Sequence, residues 1–133
     1  MEHTAEQYFI QNFIRKSRRD RLHFELTTEK RRYDGLSRFC HQAAELLDPA
    51  RIVLSGADLE GRPDFLRFVE QHNETCLLLS PNPGMDNQTM QFHDAVRVAA
   101  GFHDAVIIIG STFAIVFGEP VKGGTDKFLL SEG

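Results

Sequence analysis

The chain has 133 residues, of which 41% are hydrophobic and 26% are charged, and its formal net charge is −4 at pH 7. This balance is typical of one globular domain with its own core and excludes an extended disordered chain. The first residues lack a secretory signal, and the longest apolar run, residues 105–109, is far shorter than the ~20 residues of a membrane span. We therefore predict a single cytoplasmic domain over residues 1–133, without membrane contact, in which a helical segment 1–48 packs on a sheet formed by residues 49–133.

Apolar residues recur at helical spacing in two segments near the start of the chain. The first segment covers residues 4–26, and the polar run 17–21 predicts a kink or a break within it. The second segment carries an apolar stripe over residues 33–47, which begins with Tyr33. Gly35 lies inside this second helix at a cost of ~1 kcal/mol relative to alanine. A glycine at that position indicates that two helices approach each other closely.

The middle of the chain alternates between strand and helix patterns. Residues 52–54 and the apolar run 75–79 are predicted strands, and a helix that starts at Pro63 lies between them. Such a unit normally crosses over right-handed between two parallel strands, so we predict a βαβ unit. Residues 80–87 have the composition of a loop, and a further helix is expected from there to about Ala100.

The last third of the chain has the pattern of an antiparallel meander. Residues 105–109 and 112–117 are apolar runs, and Gly110-Ser111 between them predicts a type II′ hairpin turn. A second hairpin is expected at Gly123-Gly124, before a strand over residues 125–130. Together with the βαβ unit, these strands predict a mixed sheet. The expected class is therefore α/β, and α+β is the alternative.

The core is expected to be rich in phenylalanine, because the chain has 11 Phe and no Trp. Cys40 and Cys76 are flanked by apolar residues, which predicts buried thiols of the kind found in a reducing compartment. A disulfide between them is the alternative, because sequence does not give their distance. This composition is also compatible with a homo-oligomer that has an apolar interface.

Positive charge is concentrated in the helical segment. Residues 15–38 carry nine basic and four acidic side chains, whereas residues 49–133 carry six basic and eleven acidic ones. A basic helical surface can bind a protein partner or the phosphates of RNA. The alternative is a solvated helix face whose charge is partly neutralised by Glu25 and Glu29. The residues predicted to contact a partner are Arg15, Arg18, Arg19, Arg21, Arg31 and Arg32.

A second candidate site follows from the predicted βαβ unit. Ligands of open α/β sheets bind in the crevice at the carboxyl ends of parallel strands, where the loops 55–61 and 80–87 would meet. The alternative is ordinary turn and cap chemistry within each loop. The residues predicted to line this crevice are Ser55, Asp58, Ser80, Asn82, Asp86 and Asn87.

No catalytic set is identified. The segment 56–61 has two glycines but lacks the spacing and the lysine of a phosphate-binding loop. Cys40 and His41 are neighbours on a helix and point about 100° apart, so they do not form a nucleophile–base pair. His93 and His103 lack metal-ligand spacing. We predict no metal and no cofactor, and we favour a non-enzymatic binding or adaptor domain over a small-molecule-binding protein or enzyme.

Several short motifs resemble those of a group of small uncharacterised bacterial proteins, for which the resemblance implies no activity. The motifs are Phe13-Ile14, Arg19-Asp20-Arg21-Leu22, Lys30-Arg31-Arg32, His41, Leu47-Asp48-Pro49, Thr75-Cys76-Leu77-Leu78, His93-Asp94-Ala95-Val96 and Phe117-Gly118-Glu119. The strand–helix–strand–strand order of residues 75–117 is also similar in shape to RNA-binding domains of the ribosomal-protein and release-factor kind. This second similarity is an analogy of fold and brings no binding residues with it.

Overall fold

The computed structural model describes residues 4–118 and 127–132, which form an α/β fold around a six-stranded sheet. The helices are α1 Ala5–Phe13, α2 Arg19–Thr27, α3 Glu29–His41, α4 Ala43–Leu46, α5 Pro63–Gln71 and α6 Phe92–Gly101. The strands are β1 Ile52–Ser55, β2 Thr75–Leu79, β3 Thr89–Gln91, β4 Val106–Ile109, β5 Phe113–Phe117 and β6 Lys127–Ser131. Within this part of the chain, no helix has the length and apolarity to cross a bilayer.

The sheet is antiparallel throughout, so the predictions of a mixed sheet and of a βαβ unit are wrong. Its strand order is β1-β6-β5-β4-β2-β3, and each neighbouring pair runs antiparallel. β1 and β2 have the same direction, but three strands lie between them. The connection through α5 therefore spans most of the sheet. The βαβ prediction failed because β6 inserts between β1 and β5. The local sequence pattern does not predict that insertion.

The two faces of the sheet carry two separate cores. In β4, Ile107 and Ile109 pack on the side of α1–α4, whereas Val106 and Ile108 pack on the side of α5 and α6. Both faces are covered, which is why β4 and β5 read as continuous apolar runs. A continuous apolar run therefore indicates that a strand is buried on both faces, and in this sheet it does not indicate that the strand is parallel to its neighbours.

Strand β1 changes face along its length. Ile52 packs with the N-terminal helices and Leu54 with the opposite core, although alternation would put these two residues on one face. A shift in the register between them explains the change, since Ile52 pairs with Leu130 and Leu54 with Leu129. Val53, at the irregularity, is 55% exposed. This bulge and the short length of β1 protect the edge of the sheet from further pairing.

The N-terminal helices follow most of the predicted pattern, but the second helix divides at Gln42 into α3 and α4, and two predicted core residues are exposed. The break near 17–21 is confirmed, because a short 3-10 segment at residues 16–18 separates α1 from α2. The close approach at Gly35 is also confirmed, since a Cβ added there would lie 2.8 Å from the Cβ of Glu25. Tyr33 begins the predicted apolar stripe, and Phe24 is one of the phenylalanines expected in the core, yet they are 61% and 55% exposed.

The hairpin between β4 and β5 differs from the predicted type II′ turn. Ile109 pairs with Ala114, so Ser111 and Thr112 are the central residues. Gly110 has no positive φ, and it is required because a Cβ there would lie 2.4 Å from the ring of Phe113. The strand β3 was predicted to be helical, and the hairpin expected at residues 123–124 lies outside the described residues.

Candidate functional site

The predicted crevice between the loops 55–61 and 80–87 does not form. β1 and β2 point the same way, so both loops lie at the same end of the sheet. Four strand spacings separate them, which is about 19 Å at a spacing of ~4.8 Å per strand. Ser55 and Asp58 are therefore remote from the other four predicted residues, and one small ligand cannot contact both loops.

The loop 80–87 is held by its own polar side chains. The buried Ser80 hydroxyl donates to the carbonyl of Ala105 at 2.7 Å, and the Asn82 amide N–H donates back to that hydroxyl at 3.1 Å. Asn82 Nδ2 donates to Asp104 Oδ2 at 3.0 Å, and Asp86 Oδ1 accepts from the Ser80 amide at 3.2 Å. These contacts are the turn chemistry that was the alternative to a ligand site.

Arg32 joins α3 to this loop and is one of the six arginines predicted to bind a partner. Its guanidinium donates to both Asp86 oxygens at 2.8 and 3.1 Å, to Glu6 at 2.9 Å and to the carbonyl of Leu26 at 2.9 Å. The side chain is only 20% exposed. The hydrogen bond with Asp86, followed by that with Glu6, raises the pKa of Arg32 above its ordinary value. We call these contacts the Arg32 network and assign Arg32 a structural role.

Two more of the predicted arginines bind the backbone at helix ends. Arg15 donates to the carbonyls of Leu47 at 3.0 Å and Ala44 at 3.3 Å, and Arg19 donates to the carbonyl of Ile14 at 2.9 Å. These carbonyls lie at helix ends, where backbone groups lack partners within the helix. Both side chains therefore hold the N-terminal helices together.

The remaining predicted arginines are exposed. The Arg31 guanidinium lies 5.8 Å from the centre of the Phe24 ring. Arg21 is 69% exposed and lies 3.7 Å from Glu25. Arg18 forms no ion pair with any described residue. Arg18 and Arg21 both lie at a cavity between α2 and α3.

That cavity, the α2–α3 groove, has a volume of about 100 Å³ and combines a basic rim with an apolar floor. Among the described residues of its lining, Glu25 is the one that is acidic, and its buried carboxylate lies 2.5 Å from Arg38. Three guanidinium groups thus face one carboxylate. The groove is lined by Arg18, Arg21, Leu22, Glu25, Gly35, Arg38, Phe39, Gln42 and Leu46.

Glu25 and Arg38 were not predicted as members of this site. Glu25 was interpreted as a neutralising residue on the helix surface, but it is only 8% exposed. Its burial follows from Gly35 on the facing helix, because α3 can pack against the Glu25 side chain only where α3 has no Cβ. Gly35 predicted that two helices approach closely, but it did not predict that Glu25 is the residue packed against it.

The cysteines and the two histidines weighed as metal ligands are separated from one another in the described residues. Cys40 and Cys76 are buried on opposite faces of the sheet. Burial raises the pKa of the Cys76 thiol to about 12, which disfavours a reactive thiolate. His93 and His103 lie near opposite ends of α6, and residues 4–118 and 127–132 contain no group of three or more His, Cys, Asp or Glu placed to hold a metal ion.

In comparisons with protein-family models, curated proteins and solved structures, the chain matched none of them.

Proposed function

We propose that this chain is a binding module whose α2–α3 groove receives an acidic segment of a partner protein. The observation that carries the proposal is the charge of the groove, where three arginines face the single carboxylate of Glu25. An incoming carboxylate supplies the missing negative charge and can accept two hydrogen bonds from one guanidinium.

The floor of the groove favours a protein over RNA as the partner. Leu22 and Phe39 are already buried there, and the half-buried Leu46 leaves apolar surface that an occupant with small apolar side chains would remove from water. RNA affinity depends on many phosphate contacts, and three of the six predicted arginines are engaged within the fold.

The proposal is tested by fluorescence anisotropy with two defined probes at low salt. One is a labelled peptide of alternating glutamate and leucine, and the other is a single-stranded oligouridylate with the same number of negative charges. We expect the peptide to bind, with an affinity that falls as salt rises. Reversing Arg18→Glu and Arg21→Glu together should weaken peptide binding about tenfold, since two charged contacts at the rim are lost.

The chain offers a matched control in Arg67 and Arg97. These arginines are 68% and 70% exposed, each pairs with an aspartate three residues away, and both lie on helices of the opposite face. Arg67→Glu with Arg97→Glu makes the same change in net charge and should leave peptide binding nearly unchanged. Equal weakening by both double variants would show that the groove is not the site. Tighter binding of the RNA than of the peptide would overturn the choice of a protein partner.

A further inference from the structure

A second cavity lies between α3 and the end of the sheet, in a region that the proposed function does not use. It has a volume of about 60 Å³. Its lining consists of Tyr33, Ser37, Cys40, Pro81, Asp104 and Ala105. The first three of these residues belong to α3, and the others come from the loops that follow β2 and precede β4.

This pocket and the α2–α3 groove lie on opposite sides of α3. Successive helical residues are about 100° apart, so Tyr33, Ser37 and Cys40 share one side of the helix. By the same spacing, Gly35, Arg38 and Gln42 of the groove lie on the other side. One helix therefore separates two cavities of different chemistry.

The pocket contains a carboxylate that no described arginine or lysine pairs with. Asp104 Oδ2 accepts a hydrogen bond from Asn82 Nδ2 at 3.0 Å and lies 3.5 Å from His103 Nε2. Asp104 Oδ1 accepts no hydrogen bond from any described residue, and no described arginine or lysine forms an ion pair with this carboxylate. The carboxylate is 39% exposed, so it can be reached from solvent.

Tyr33 supplies the second recognition element. Its side chain is 61% exposed, although large apolar rings on a helix are usually buried. Within residues 4–118 and 127–132, its ring takes part in no aromatic pair and no cation contact. The face of such a ring attracts a cation, and the Ser37 hydroxyl adds an acceptor.

The pocket has room for an ammonium group. Its volume of about 60 Å³ exceeds the ~10–15 Å³ that a cavity needs to hold one water, so an ammonium group with the carbon attached to it fits. We propose that the Tyr33–Asp104 pocket binds the ammonium head group of an amine, through the carboxylate of Asp104, the Ser37 hydroxyl and the Tyr33 ring.

The ammonium group can belong to a free amine or to a lysine side chain of a protein. Two-dimensional ¹H–¹⁵N NMR titrations distinguish these sources, with n-butylamine as one probe and a Gly-Lys-Gly peptide blocked at both ends as the other. Binding in the pocket predicts saturable shifts of the Ser37, Asp104 and Ala105 amides with at least one probe. Tighter binding of the peptide identifies a lysine side chain as the source, and tighter binding of butylamine identifies a free amine. 1-Butanol, which has the same chain without the charge, should produce no such shifts.

Two variants test the roles of the residues. Asp104→Asn keeps an acceptor for Asn82 and removes the charge, and Tyr33→Leu keeps an apolar side chain and removes the ring. Each should weaken binding by at least about threefold, whereas Asp94→Asn, on the exposed surface of α6, should not. Retained melting temperatures show that the variants are folded. The proposal is overturned if neither amine shifts these amides saturably, or if Asp104→Asn binds as well as the parent protein.

This test is independent of the acidic-peptide test of the α2–α3 groove. Neither Tyr33 nor Asp104 lines that groove, so failure of one proposal leaves the other standing.

Discussion

The Arg32 network and the α2–α3 groove are both clusters of arginine and carboxylate on α3, but their balance of charge is opposite. In the Arg32 network, one guanidinium is shared by two carboxylates and a backbone carbonyl, and it is largely buried. In the groove, one buried carboxylate is shared by exposed or half-exposed arginines. An arginine whose donors are used within the fold therefore stabilises it, whereas an arginine in excess of the carboxylates at a cavity remains available to a partner.

The largest expected effect follows from removing Arg32. Arg32→Leu leaves Asp86 and Glu6 without their shared cation, and losing one member of a largely buried ion-pair cluster costs about 3 kcal/mol of unfolding free energy. Urea denaturation measures the loss. Arg67→Leu is the control, because Arg67 belongs to an exposed pair and should change stability by less than about 0.5 kcal/mol. Equal losses from the two variants would contradict the structural role of Arg32.

A smaller loss is expected where the two helices meet beside the groove. Gly35→Ala puts a Cβ 2.8 Å from the Cβ of Glu25, and overpacking of this kind costs about 1–3 kcal/mol. Gly101→Ala is the matched control, since a Cβ there meets nothing within 4 Å. Thermal unfolding compares them. If Gly35→Ala were as stable as Gly101→Ala, the close approach of α2 and α3 would be refuted.

The smallest effect on stability, with the clearest effect on binding, is expected at Glu25. Glu25→Gln removes the carboxylate that Arg21 and Arg38 share, so the free energy of unfolding should fall by about 1 kcal/mol. Both arginines then become available, and the acidic peptide should bind several-fold tighter. Anisotropy titration of this variant beside the parent protein measures the gain. Weaker peptide binding would mean that Glu25 supports the partner site instead of competing with the partner.

Local patterns predicted many elements of this fold. The strand β2 coincides with its predicted limits, and α5 begins at Pro63, because side-chain periodicity and proline geometry act within a few residues. The candidate site was predicted only in part. Arg18 and Arg21 were predicted from the positive charge of their segment. Glu25 and Arg38 belong to the site because α2 packs against α3, and the pattern of a single helix does not predict that contact.

By itself, the sequence determined most of the helical and extended segments, with β3 as an exception, and the stretches that are buried on two faces. It could do so because hydrogen bonding within a helix and side-chain alternation along a strand are short-range. Only the tertiary structure decided that β6 inserts between β1 and β5, which places the loops at 55–61 and 80–87 four strands apart. The tertiary structure alone also decided that Arg32 forms ion pairs within the fold and that Arg18 is exposed to solvent. Both outcomes depend on hydrogen bonds and ion pairs between residues that are far apart in the sequence. The pattern of neighbouring residues does not predict those partners.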